Sequence, residues 1–156
     1  MMLVFRFGWA KPVPVNMMRF QNPKKGMAIT ALAGPGCNLL ITVVFLFLYG
    51  LLFKPLSGSS AGGLVLQLLQ LTAYLSIGLC LFNLLPVPPL DGSKVLLSVL
   101  SDSAYDRLMR YERYGGLLLL ALVWSGALGR PLSSAISAVF RFLFPIAQWG
   151  FQIVNG

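Results

Sequence analysis

The chain has 156 residues, of which 57% are hydrophobic and 10% charged, and its mean hydropathy is +0.80. That balance excludes a soluble domain with about a quarter of its residues charged, and the length divides into at most about three or four membrane spans of roughly 20 apolar residues each. The net charge of +8 does not point to nucleic acid, because the cations sit beside apolar runs and form no basic stripe interleaved with stacking aromatics; anionic lipid is the expected counter-surface.

Taken in chain order, residues 1–7 are short, interrupted by Arg6 and followed by no small-residue cleavage site, so they do not read as a signal peptide. Residues 1–25 are expected to be extended or a short β segment, since Lys11-Pro12-Val13-Pro14-Val15-Asn16 resists helix: each proline disfavours helix before it and donates no hydrogen bond. Between Lys25 and Lys54 the uncharged run 26–53 is long enough to cross the hydrocarbon as a helix with some tilt. Within it, Gly34-Pro35-Gly36 frees the carbonyl of Ala31 and permits a kink or a close backbone approach. The turn cluster Ser57-Gly58-Ser59-Ser60-Ala61-Gly62-Gly63 precedes a second, antiparallel span at 64–85.

Pro86, Pro88 and Pro89 end that span, and a short helix is expected over 91–100. Segment 103–114 is the most charged in the chain; Arg107, Arg110 and Arg113 fall on one helical side beside tyrosines, which suits an amphipathic segment in lipid headgroups. Runs 115–129 and 132–154 read as further membrane helices, spanning or interfacial. The second carries Arg141 and Pro145 near its middle, and a central Arg costs about 2.5 to 3.5 kcal/mol on insertion scales. The fold class is therefore an all-α, polytopic helix bundle forming a single membrane domain, with the extended or β segment at its start.

Orientation follows from Lys and Arg. Arg6, Lys11, Arg19, Lys24 and Lys25 precede the first span, Lys54 alone lies between the spans, and Lys94, Arg107, Arg110 and Arg113 follow the second. The N-terminal segment and the Asp91 end are thus expected on the cytoplasmic side. Cys37 and Cys80 lie inside apolar runs and read as packing residues.

Asp91 stands where a charge-free stretch, 55–90, meets polar chain. An ionisable group at membrane depth is by default a candidate for metal, proton or ion chemistry. The residues alone leave two readings open: that role, or an N-cap worth about 1 kcal/mol after a proline turn. Asn38 and Asn83 likewise read as interhelical hydrogen bonds or as substrate contacts.

Four separated segments resemble the site-2 protease family of intramembrane zinc metalloproteases. Phe7-Gly8-Trp9-Ala10-Lys11-Pro12-Val13-Pro14-Val15-Asn16 is similar to the stretch between that family's metal-binding helix and its next span. Asn22-Pro23-Lys24-Lys25-Gly26 and Ala33-Gly34-Pro35-Gly36-Cys37-Asn38 are similar to the opening of that span. Asn83 to Gly92 matches the Asn-x-x-Pro…Leu-Asp-Gly motif and is followed by Arg113-Tyr114-Gly115, so the resemblance covers residues 7–116. It implies a protease that cleaves transmembrane segments of membrane proteins, with Asp91 as third ligand of a catalytic zinc and with Asn38 and Asn83 near unwound substrate. In the family the other two ligands are the histidines of an HExxH helix whose Glu is the general base; three protein ligands leave zinc a fourth position for water.

The chain contains no histidine, and its other acids are Asp102, Asp106 and Glu112. As written it should not hydrolyse peptides by that mechanism or hold zinc tightly. The leading reading is the C-terminal portion of a site-2-type protease whose HExxH helix precedes Met1 and is lost to truncation or a misplaced start, which the in-frame sequence upstream of Met1 tests. A non-catalytic homologue that binds or sequesters membrane segments is the alternative, and a transporter or channel fragment is a further one. A homo-oligomer is compatible with each.

Overall fold

The computed structural model describes residues 23–99 and 114–155, and all the regular structure among them is helical. The expected extended or β segment lies largely outside the described residues. Where the two overlap, at Pro23, Lys24 and Lys25, the chain is already helical and the expectation is corrected. The reason is local: proline at the first helical position has a helix-compatible φ, and the N–H it lacks would have had no partner there.

Helix α1, Pro23–Leu56, is followed by α2, Ser60–Asn83. The polar cluster between them acts as a cap as well as a turn, since Ser59 Oγ accepts a hydrogen bond from the Gly62 amide at 3.0 Å. Gly62 lies so close to the Leu56 carbonyl that a side chain there would collide with it. The two helices consequently run antiparallel and in contact.

The proline turn leads into α3, Asp91–Val99. Beyond the undescribed segment, which includes the expected amphipathic residues 103–113, come α4, Tyr114–Trp124, α5, Gly129–Leu143, and α6, Pro145–Asn155. The boundary between α5 and α6 falls at Phe144 because Pro145 has no N–H to offer the Arg141 carbonyl. Helix α5 packs on α2, and α6 on α1.

Three stretches are long and apolar enough to cross a membrane: Lys25–Leu56, Ser60–Asn83 and Gly129–Val154. Leu40, Leu68 and Leu75 are each more than half exposed, as expected where the solvent is lipid and leucine has no reason to be hidden. Packing falls instead to small groups: Ala73 and Ala147 are buried against Leu46, and the Gly50 and Gly150 backbones meet the opposing helix directly. Hydroxyls within the spans turn back on their own helices, as Thr30 does to the Gly26 carbonyl and Thr72 to that of Leu68.

Candidate functional site

Asp91 is the first residue of α3. Hydrogen bonds set this corner: the Leu90 amide donates to the Val87 carbonyl, and both the Ser93 amide and the buried Ser93 Oγ donate to the Leu90 carbonyl. Gly92 fits beneath the Leu84 and Leu85 carbonyls, where any Cβ would collide with them. Gly115 meets Pro88 in the same way, so α4 begins against the proline turn. The carboxylate therefore projects from a turn fixed on several sides.

Its surroundings are sparse. Lys94 Nζ donates to Asp91 Oδ1 at 3.0 Å, a pair one turn apart with side chains 43% and 34% exposed. A pair of that kind contributes about 0.2 to 0.5 kcal/mol. The other oxygen, Oδ2, lies only 3.4 Å from the position a Cβ on Gly34 would occupy. Asp91 thus faces the glycine of Ala33-Gly34-Pro35-Gly36-Cys37-Asn38 on α1, 57 residues earlier in the chain. Lys94 is its polar partner among the described residues, and it caps no backbone amide there.

Asn38 lies one helical turn from Gly34 on the same side of α1. Its carbonyl accepts the Thr42 hydroxyl at 3.0 Å, and that buried hydroxyl also approaches the Ala73 carbonyl at 3.4 Å. The contact sets the register of the antiparallel pair, with Asn83 level with Leu32, each ten residues from it. The side-chain amides of Asn38 and Asn83 are half-buried and make no hydrogen bond among the described residues. The interhelical bond that Asn38 and Asn83 allowed on paper is formed instead by Thr42. Periodicity carries no signal for the Asp91–Gly34 approach, whereas the Lys94 pairing was available from its i+3 spacing.

Zinc requires several protein donors at one point. Among the described residues no three His, Cys, Asp or Glu side chains gather, the chain has 0 His, and Cys37 is exposed on α1 while Cys80 is buried in α2. The residues present do not fit a complete zinc site by themselves.

A sequence model of peptidase family M50 matches residues 52–125. A Bacillus subtilis (strain 168) protein named "Putative zinc metalloprotease YwhC" is 33% identical over 126 residues, covering 78% of this chain and 57% of that protein. The chain belongs to peptidase family M50, the site-2 proteases. Two further relatives carry the same kind of name. "Putative zinc metalloprotease Rip2" of Mycolicibacterium smegmatis is 33% identical over 126 residues, 80% of this chain and 42% of the relative. "Putative zinc metalloprotease MJ0611" of Methanocaldococcus jannaschii is 36% identical over 95 residues, 60% and 46% respectively. The chain spans about half the length of these curated relatives. No solved structure matches it. Family membership and the three apolar helices make this an integral membrane protein.

Proposed function

We propose that this chain supplies the aspartate-bearing part of an intramembrane zinc metalloprotease that cleaves transmembrane segments of membrane proteins. Asp91 is one metal ligand, and Asn38 and Asn83 engage unwound substrate backbone. One observation supports the reading: the two motif-bearing segments meet in space, with Asp91 Oδ2 only 3.4 Å from where a Cβ on Gly34 would lie. A carboxylate held by one weak ion pair is free to exchange that partner for a cation. The missing imidazoles and general base have to come from outside these 156 residues, since the chain encodes 0 His, and the 156 residues alone are inactive.

The lone carboxylate favours one other reading, a membrane homologue that holds membrane segments without cutting them. Zinc titration and a cleavage assay separate the two. This chain alone should bind no stoichiometric zinc, and joined to an HExxH-bearing segment of the family it should bind zinc and turn over a membrane-segment substrate. Zinc-free, inactive behaviour of the joined protein would leave the holding function standing and the protease reading refuted.

A further inference from the structure

Arg141 is the cation that the fold places near mid-span among the described residues. Two contacts fix its depth: a Cβ on Gly78 would lie 3.4 Å from Ile136 Cδ1, and the Tyr74 and Phe140 rings are 5.9 Å apart, so α5 runs antiparallel to α2. Arg141 directly follows Phe140 and is therefore level with Tyr74, and through the Ala73–Thr42 contact it is level with the centre of the Lys25–Leu56 span. Its Nε donates to the Ser137 carbonyl at 3.3 Å, which leaves the terminal nitrogens of the guanidinium without a partner among the described residues. Around it lies an open cleft of about 390 Å³ between α2 and α5, lined also by Gln67, Gln70, Tyr74 and Phe140.

A guanidinium at that depth is costly unless an anion joins it, and polar side chains between helices are the usual glue of membrane bundles. We propose that this notch receives another membrane-spanning helix carrying a carboxylate near its middle. Arg141 is the counter-ion, and Gln67 and Gln70 supply further donors. A second copy of this chain is not the expected occupant, because none of its three described spans carries an Asp or Glu. Lipid phosphate sits about 15 Å from the bilayer centre, at the edge of a hydrocarbon layer about 30 Å thick, whereas a side-chain carboxylate can be presented at the depth of Arg141. The inference is independent of the role of Asp91.

The test uses the full chain, donor-labelled at its C-terminus, in phosphatidylcholine vesicles with acceptor-labelled polyleucine helices. One helix carries a central Asp, one an Asp near its end, and one no acid. Energy transfer should report about tenfold stronger association of the central-Asp helix than of the other two, the size of a charged hydrogen bond. Arg141→Gln should abolish the preference, Arg141→Lys should keep most of it, and Asp91→Ala should leave it unchanged. Equal association of all three helices with the unsubstituted protein would overturn the proposal whether or not any variant folds. So would a preference that survives Arg141→Gln, or one that disappears when phosphatidylglycerol is added because the lipid occupies the notch.

Discussion

Asp91 and Lys94 make a half-exposed pair across one helical turn, and this sets how far either residue matters for folding. Asp91→Ala and Lys94→Ala should each change stability by less than about 0.5 kcal/mol, measured by denaturant titration of helicity in micelles. A loss of several kcal/mol from Asp91→Ala would instead make the carboxylate a structural group. Gly34 gives a sharper contrast. A methyl group there would lie 3.4 Å from Asp91 Oδ2, an ordinary contact, so Gly34→Ala should leave helix content and zinc affinity of the completed protein near those of the parent. Gly34→Leu should displace the carboxylate and weaken zinc by about tenfold or more. At Gly92 even a methyl group collides with the Leu84 and Leu85 carbonyls, and Gly92→Ala should cost about 1 to 3 kcal/mol.

Helix docking here depends on missing side chains more than on apolar area, because lipid is as apolar as leucine. Gly50 meets the Ala147 carbonyl, and Gly150 meets Phe47 and Leu51 of α1. Phe53 and Phe151, whose rings are 6.0 Å apart, report on that seam: cysteines at both positions should cross-link readily in membranes, Gly50→Leu should abolish the cross-link, and Gly36→Ala, which meets open space, should not. Undiminished cross-linking in Gly50→Leu would place α6 elsewhere. The same logic shows what the sequence could and could not reveal. Uncharged runs bounded by Lys25 and Lys54 disclose a membrane helix directly, since hydropathy is a one-dimensional property. Pro23 and Ser59 are harder, because a proline or serine near a helix start resembles loop until Pro23 is seen opening its helix and the Ser59 hydroxyl accepting the Gly62 amide. The parallel docking of α6 on α1 depends on backbone approach at isolated glycines, which no periodicity encodes.

At the scale of the whole molecule, the helices bring Asp91 back to Gly34 across 57 positions of sequence, and a long-range approach of that kind is invisible to motif spacing. The motif identified the residue; the fold identified its neighbour. From the charge asymmetry, with Lys25 before the first span and Lys94 after the second, we propose that both ends of that approach face the cytoplasm. A thiol placed at Ser98 should therefore react with a membrane-impermeant reagent in inside-out vesicles and not in intact cells, and the reverse pattern would invert the topology. The central claim is that Asp91 is one coordinating arm of a metal site whose remaining donors lie outside these residues. Its most direct test is zinc content of the chain completed by an HExxH helix, with Asp or Ala at position 91. We predict about one zinc per complex with Asp91 and at least about tenfold weaker binding in Asp91→Ala. Equal zinc affinity in the two proteins would contradict the assignment.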